Sequence, residues 1–469
     1  MAALACAGAV GLAAVLIPAP LAATAAHRLD PQQRTVLDDT LVGAGTRPRL
    51  GIPDFIVPGS EPALVAAAKT AADVLWADLD FEREFYMVDR ARTAAIPVTN
   101  DPMALNFTRW QELGVQFVVL GRLVPTSSGF DIELRLIQVG GDAPGSMSFG
   151  QRYSPCTTEN PRACAHFIAD DMHKQIRRLD GVAQTRLAFV SDRSGARMAG
   201  RPTANAGGAK EIYISDYDGA NVRQVTVNRS LALNPAWSPD GTALAYTLYP
   251  LVGAPAPSIF INSLDGRPVQ RVIPPKGDVH AAVPAWSPDG TKVAFGSTLS
   301  GNWDIWVCNR DGSDLRNLTP GTERSIEQAP TWSPDGSKIA FISTRSGSQL
   351  LYTMNSSDGL NLNRVPTNST QIDRPTWSPL NFIAYTAGNG PGHVIGIYDF
   401  TTGTASFVTD AAGDNQSPSV APNGRHIVFE TTRWGREELA VIDRRGENLR
   451  RLTNTGNNKN PSWSRTRGR

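Results

Sequence analysis

The side chains best suited to metal chemistry lie close together in a segment that is predicted to be helical. His166, Asp170 and His173 have spacings that bring them roughly to one side of that helix, with Cys164 just upstream. Histidine and aspartate are zinc ligands. No further ligand stands at metal-like spacing, and Cys164 has a nearby mate in Cys156. We therefore interpret these residues as helix-surface or domain-contact positions and expect no metal.

Two other patterns fall short of an active or binding site. Asp216-Tyr-Asp-Gly219 begins like a calcium loop, but it lacks the third acidic position and the terminal glutamate, so it predicts a turn. Serine peptidases of the α/β-hydrolase type need a Gly-x-Ser-x-Gly motif, which presents the nucleophilic serine on a sharp turn. The chain contains no such motif. With six histidines in all and none in a motif, we expect no catalytic residues and no cofactor.

The start of the chain has the composition of a targeting segment. Residues 1–26 are almost wholly small and apolar, with no charge before Arg28 and small residues around position 25 for cleavage. We interpret them as a signal peptide, followed by an N-terminal arm over residues 27–46. An exported protein meets an oxidising compartment, so a disulfide between Cys156 and Cys164 is expected. Cys308 falls in a predicted strand and should be a small buried apolar residue.

A short phrase recurs six times in the second half of the chain. Its copies are Pro235-Ala-Trp237-Ser-Pro-Asp-Gly241, Pro284-Ala-Trp286-Ser-Pro-Asp-Gly290, Pro330-Thr-Trp332-Ser-Pro-Asp-Gly336, Pro375-Thr-Trp377-Ser-Pro379, Pro418-Ser-Val420-Ala-Pro-Asn-Gly424 and Pro461-Ser-Trp463-Ser464. Successive tryptophan-equivalent positions are 49, 46, 45, 43 and 43 residues apart. A period in the forties, with a strand ending at tryptophan and a turn at Ser-Pro-Asp-Gly, is typical of a β-propeller blade.

The two ends of the repeat region predict how the ring closes. Arg186-Leu-Ala-Phe189 reads like Lys292-Val-Ala-Phe295 but has no tryptophan phrase before it, while Trp463 has no strand after it. A C-terminal strand that completes the first blade would close six blades and leave few open sheet edges. We expect the tryptophans to pack between blades and to have no chemical role.

The fold class is therefore predicted to be multidomain, with a six-bladed β-propeller at residues 184–469 and a small α/β domain of mixed sheet at residues 47–183. In the smaller domain we expect strands over residues 50–57, 85–88, 115–123 and 130–139. Helices are expected over 62–79, 108–113 and 162–179. A net charge of +1 with 19% charged residues gives no sign of a nucleic-acid partner.

Polar and variable positions stand just before the tryptophan phrases. Gln328, Asp373 and Gln416 lie four residues before the tryptophan-equivalent position, His280 six before Trp286, and Val283 three before it. We expect them in loops around one mouth of the propeller channel. Such faces bind partners, although any single residue of this kind could equally be a solvated loop residue.

The combination of leader, small α/β domain and Pro-x-Trp-Ser-Pro-Asp-Gly repeats resembles the TolB family, from about Arg47 to Trp463. Gly114-Val-Gln-Phe-Val-Val-Leu-Gly121 and Arg186-Leu-Ala-Phe-Val190 also carry the resemblance. It implies a monomeric, non-enzymatic adaptor of the Tol–Pal system in the periplasm, which supports outer-membrane integrity and envelope constriction at cell division. It further implies that a Pal-like lipoprotein binds at the propeller mouth and a TolA-like inner-membrane protein binds the N-terminal arm. Residues 27–46 are longer than the family's short arm.

Two other functions fit the same repeats. A periplasmic binding or sensor propeller would hold a glycan or peptide in its channel. A lyase or hydrolase that uses the channel would need clustered acids, histidines or metal ligands at the mouth, and the sequence shows no such cluster.

Overall fold

The structure is a computed structural model that describes residues 47–199, 208–249, 256–273, 277–321 and 324–465. The predicted signal peptide and the predicted arm lie outside these ranges. The described chain divides into two compact units, one of residues 47–76 and 85–164 and the other of residues 77–84 and 165–465. Within the described ranges, no helix combines the length and the apolar character that crossing a bilayer requires.

The first unit is built on a mixed five-stranded sheet. Its strands are β1 (Arg49–Gly51), β2 (Tyr86–Met87), β3 (Phe117–Thr126), β4 (Gly129–Gln138) and β5 (Met147–Cys156). The order across the sheet is β2-β1-β3-β4-β5, with β1 parallel to both of its neighbours and the remaining pairs antiparallel. The predicted mixed sheet is confirmed, and β3 and β4, two of the predicted strands, pair along their whole length. The sequence interpretation missed β5, whose polar residues Ser148, Gln151 and Arg152 hide the alternation.

The first predicted strand is shorter than expected. Of residues 50–57, only Leu50 and Gly51 lie in β1, and Ile56 makes a single bridge to Arg122. Pro53 has no N–H group to donate to a strand ladder, so the pairing stops before it and resumes only at Ile56. The chain still packs closely there, because a Cβ atom at Gly121 would lie 2.3 Å from the ring of Phe55.

Apart from one short helix at Arg90–Thr93, which the sequence did not predict, the helices lie close to their predicted positions. They are α1 (Pro62–Glu82), α2 (Arg90–Thr93), α3 (Phe107–Glu112) and α4 (Pro161–Met172), with a 3-10 turn at Pro102–Ala104 and a π-helical turn at His173–Arg177. Trp110 of α3 is fully buried against β3 and β4, in a cluster with Val118 and Ile137. A disulfide joins Cys156 at the end of β5 to Cys164 in α4, with the two Cα atoms 5.6 Å apart.

The second unit contains six four-stranded antiparallel sheets, which are the blades of a propeller. The strands of the closing blade and of the next two are β6 (Arg186–Ser191), β7 (Glu211–Asp216), β8 (Arg223–Gln224), β9 (Leu231–Trp237), β10 (Ala243–Tyr249), β11 (Ser258–Ser263), β12 (Gln270–Arg271), β13 (Ala281–Trp286), β14 (Lys292–Ser297), β15 (Asp304–Asn309) and β16 (Arg316–Asn317). The strands of the remaining blades are β17 (Glu327–Trp332), β18 (Lys338–Ser343), β19 (Leu350–Asn355), β20 (Asn363–Arg364), β21 (Ile372–Trp377), β22 (Phe382–Asn389), β23 (Gly392–Asp399), β24 (Thr404–Phe407), β25 (Asn415–Val420), β26 (His426–Thr431), β27 (Glu438–Asp443), β28 (Arg450–Arg451) and β29 (Asn458–Trp463).

The ring closes as the sequence predicts. The C-terminal strand β29 is the innermost strand of the sheet β29-β6-β7-β8, and Trp463 pairs with Leu187. Cys308 is fully buried, as expected of a small apolar residue. The tryptophans link neighbouring blades, since the Trp286 indole donates to Ala236 O at 3.1 Å and the Trp332 indole donates to Ala285 O at 3.1 Å.

Candidate functional site

Every innermost strand of the propeller contains the same β-bulge. One residue in each adopts a left-handed conformation, with φ between 46° and 56°: Asn234, Val283, Ala329, Arg374, Ser417 and Asn460. Each stands three residues before the tryptophan-equivalent position and directly before the proline of the phrase. The strand register shifts at this point in all six blades. A bulge interrupts the ladder, so proline, which has no N–H group, is tolerated there.

The bulged strands surround a central channel of about 590 Å³. The bulged residues line it towards the end where the strands begin, and the Ser-Pro turns line the other end. We call the first end the strand-start mouth and assign to it Val283, which lines the channel, and the residues at or just before the starts of the innermost strands: His280, Gln328, Asp373, Gln416 and Lys459. We call the second the turn mouth, formed by Pro239, Pro288, Pro334, Pro379, Pro422 and Arg465.

The predicted mouth residues share one end of the ring, but they do not lie in loops. Gln328, Asp373 and Gln416 are the second residues of β17, β21 and β25, and they pair with equivalent positions on the neighbouring strands. Val283 is the bulged residue of β13, and only His280 precedes its strand. The sequence interpretation placed the strand starts too late, because the proline two residues before each tryptophan appeared to begin the strand.

The backbone at the strand-start mouth is held by hydrogen bonds, which leaves several side chains open to a partner. The N–H of His280 donates to Thr298 Oγ1 at 2.9 Å, and its exposed imidazole lies edge-on to Trp303, with ring centroids 6.2 Å apart. The Val283 N–H donates to Thr247 Oγ1 of the neighbouring blade at 3.0 Å. The side chain of Asp373 is 46% exposed. A partner would therefore meet a fixed backbone frame with varied side chains.

Two residues of this ring were missed from the sequence. Lys459 occupies the position of Gln328, Asp373 and Gln416 in the last blade, and it forms an ion pair with Glu437. Arg374 lies at a bulge and donates to Asn234 Oδ1 at 2.6 Å. Counting back from Trp463 would have found Lys459, but no sequence signal shows that a left-handed arginine points into the channel.

The helix residues that were weighed as metal ligands are buried rather than exposed. His166 is 4% exposed and its Nδ1 lies 2.8 Å from Asp78 Oδ2. The Tyr217 hydroxyl donates to the other carboxylate oxygen of Asp78 at 2.6 Å. Burial lowers the pKa of His166, but the nearby carboxylates of Asp216 and Asp78 outweigh this effect and raise it to about 9. Of the two predicted alternatives, a helix surface is wrong for His166, and a contact position fits the bonds that Asp78 makes with His166 and Tyr217.

Asp170 and His173 have separate structural partners. The carboxylate of Asp170 accepts the N–H groups of Ala183 and Gln184 at 2.8 and 3.0 Å. The Nδ1 of His173, in the π-helical turn, bonds to Ala169 O at 2.9 Å. Within the part of the chain that the structure describes, no group of three or more His, Cys, Asp or Glu side chains could hold a metal ion.

A second buried ionic group lies at the end of α1. Glu82 Oε2 lies 3.0 Å from His426 Nε2 and accepts from Arg425 Nη2 at 2.7 Å. Burial raises the pKa of Glu82, but the hydrogen bond and charge of His426 and the charge of Arg425 outweigh this effect and lower it to about 2. Both ionic groups hold helical residues to propeller strands, so they are structural contacts.

Known proteins match this chain in both regions. Residues 173–467 match the family model described as the TolB beta propeller domain, and residues 42–143 match the TolB amino-terminal domain. The Tol-Pal system protein TolB of Desulfosudis oleivorans is 32% identical over 208 residues, which cover 44% of this chain and 43% of that protein. The protein of that name from Haemophilus influenzae is 30% identical over 220 residues, which cover 46% and 45%. The chain thus spans less than half the length of these curated relatives.

A solved structure extends the likeness to most of the chain. The crystal structure of TolB from Acinetobacter baumannii superposes with a TM-score of 0.72, covers 90% of this chain and 97% of that chain, and is 21% identical. This likeness shows a common fold. Because the propeller model alone matches more than half of the sequence, the chain belongs to the TolB family.

Proposed function

We propose that this protein is a periplasmic adaptor of a Tol–Pal system and that it binds a Pal-like, peptidoglycan-associated lipoprotein at the strand-start mouth. The curated relatives carry the name Tol-Pal system protein, which supports the assignment to that system. The apolar composition of residues 1–26, from which we predict a signal peptide, supports the periplasmic location.

The observation that carries the proposed binding site is the contrast within the strand-start mouth. Its backbone positions repeat from blade to blade, with the bulge and its proline in all six. Its side chains vary: the position four residues before the tryptophan equivalent is Leu233, Ala282, Gln328, Asp373, Gln416 or Lys459. A rigid frame that presents varied side chains loses little entropy on binding and can still be specific.

The surface chemistry at this mouth suits protein recognition. His280 and the neighbouring Trp303 offer an aromatic pair, Asp373 offers a carboxylate, and Gln328 offers an amide. Aromatic anchors surrounded by polar groups are the usual composition of a binding hot spot. We propose that the protein acts by binding alone, as a monomer, with no catalytic step and no cofactor.

We further propose that residues 27–46 bind a TolA-like inner-membrane protein. The adaptor would then link an inner-membrane protein to an outer-membrane lipoprotein, and so support envelope integrity and constriction at division. The two binding events can be coupled only if the arm has two states that the lipoprotein binds with different affinities. Deletion of residues 27–46 is expected to change lipoprotein affinity, and an unchanged affinity would contradict the coupling.

The proposal is tested by affinity capture from native envelope. The bait is the mature chain, beside a His280→Ala/Gln328→Ala/Asp373→Ala variant. We expect the wild-type chain to capture a peptidoglycan-binding lipoprotein and the variant to lose it. Capture that persists in the variant would move the site away from the strand-start mouth. Failure of the wild-type chain to capture any lipoprotein would contradict the adaptor function itself.

A further inference from the structure

The charges inside the central channel are all of one sign. Of the described residues that line it, only Arg374 and Arg465 carry a charged side chain, and none is an aspartate or a glutamate. The rest of the lining consists of proline, alanine, serine, threonine, valine, asparagine and tryptophan. The side chains of this lining supply positive and no negative charge, which favours anions over divalent cations in the channel.

Arg374 crosses the channel. Its strand β21 lies three blades away from β9 in the six-bladed ring, so Arg374 and Asn234 stand on opposite walls. One terminal nitrogen of the guanidinium donates to Asn234 Oδ1 at 2.6 Å, and Nε lies 3.8 Å from the Asp373 carboxylate at the mouth. An arginine side chain carries five N–H donors. Hydrogen bonds within the described chain therefore leave donors of Arg374 for a ligand in the channel.

Arg465 supplies the second charge, at the turn mouth. It follows the last innermost strand and its Nη1 donates to Pro288 O at 3.2 Å, which lies two blades away around the ring. Burial lowers the pKa of Arg465 from its ordinary value, which stays far above neutral pH for a guanidinium group. One guanidinium group thus stands towards each end of the channel.

Two nearby carboxylates could compete for these charges. Glu430 Oε2 accepts the N–H of the lining residue Asn460 at 2.6 Å and stands behind the wall. Burial raises the pKa of Glu430, against the opposing effects of its hydrogen bond from Asn460 and of the charges of Lys459 and Arg374. Asp373 faces the strand-start mouth and is the direct competitor for Arg374. Neither carboxylate lies in the lining between the two arginines.

We propose that the central channel is a binding site for a small organic anion that carries carboxylate or phosphate groups. Guanidinium groups recognise both through paired hydrogen bonds. The volume of about 590 Å³ falls in the range of small-molecule sites, roughly 300–1,000 Å³. The tryptophan and proline lining would cover the carbon skeleton of the ligand while Arg374 and Arg465 hold its charged ends.

The test is isothermal titration of the mature chain with citrate, after dialysis into a buffer free of phosphate and carboxylates. We expect one saturable site with a Kd in the millimolar range or tighter. The Arg374→Gln variant should bind at least about tenfold more weakly, and Arg465→Gln several-fold more weakly. Asp373→Asn, which removes the competing carboxylate, should strengthen binding. The matched control is Arg364→Gln, which removes an exposed arginine from an outermost strand and should leave binding unchanged.

Further arms separate the possible outcomes. If inorganic phosphate competes with citrate, the channel recognises negative charge in general. If phosphate does not compete, recognition depends on the carboxylate groups and carbon skeleton of citrate. Calcium chloride should give no binding heat from the channel. If Arg374→Gln does not fold, the proposal is tested by two other variants, Arg374→Lys, which keeps the charge, and Asp373→Asn. No saturable citrate binding, or an equal loss in Arg364→Gln, would overturn the proposal. Lipoprotein capture is measured separately, so either proposal can fail without the other.

Discussion

The two ends of the six innermost strands differ in what their sequences keep constant. At the turn mouth, the same side chains make the same contacts in several blades: Ser238, Ser287 and Ser333 donate to Asp240, Asp289 and Asp335 at 2.5, 2.5 and 2.6 Å. At the strand-start mouth only the backbone is constant, and the side chains change from blade to blade. The turn mouth is therefore expected to determine stability, and the strand-start mouth to determine recognition.

The largest expected effect of this difference concerns a tryptophan near the turn mouth. Trp332 is 9% exposed, packs on Ile305 and Phe341, and donates its indole N–H to Ala285 O. Trp332→Ala should lower the free energy of unfolding by about 3–5 kcal/mol, because it leaves a cavity between two blades. Denaturant unfolding followed by circular dichroism measures the change.

The matched control lies four residues away on the same strand. Gln328→Ala at the strand-start mouth should change the free energy of unfolding by less than about 1 kcal/mol. Equal losses in the two variants would contradict the separation of stability from recognition.

A smaller effect should appear in the pH dependence of stability. The pKa of His166 is raised to about 9 in the folded protein, against an ordinary value of about 6.5. Its contribution is thus fully present below about pH 6.5 and is lost as the pH rises through about 9, by up to about 3 kcal/mol in total. Unfolding measured at several pH values should show this loss.

Two substitutions identify the histidine that is responsible. His166→Gln should flatten the decline in stability between about pH 6.5 and 9. His280→Gln, at the exposed mouth, should leave the decline in place. A decline that persists in His166→Gln would show that other groups cause it.

The smallest effect concerns one turn glycine. Gly336 adopts φ of 75°, and a Cβ atom there would meet only Pro288, at an ordinary contact distance of 3.6 Å. Gly336→Ala should therefore cost about 1 kcal/mol through backbone strain alone. Gly336→Asn should cost less, since asparagine tolerates the left-handed region. Equal losses of stability in the two variants, measured by thermal unfolding, would mean that packing rather than backbone conformation determines the effect of the substitution.

Sequence reasoning succeeded where a pattern repeats and failed where contacts are distant. Six copies of the phrase predicted the number of blades. The incomplete repeats at Arg186 and Trp463, at the two ends of the repeat region, predicted the sheet that closes the ring. The pairing of Asp78 with His166 and Tyr217 joins segments that are far apart in the chain. No local pattern encodes such a contact. The polar residues of the mouth were found by comparing copies, but the bulge that orients them appears only in the backbone.

The most direct test of the account is a titration of purified protein with the soluble domain of the Pal-like lipoprotein from the same organism. The mature chain is compared with the His280→Ala/Gln328→Ala/Asp373→Ala variant and with an Arg223→Ala/Gln270→Ala/Arg364→Ala control on outermost strands. We predict that the mouth variant weakens binding by at least about tenfold and that the control stays within about twofold. Unchanged affinity in the mouth variant, with binding intact in the wild-type chain, would contradict recognition at the strand-start mouth.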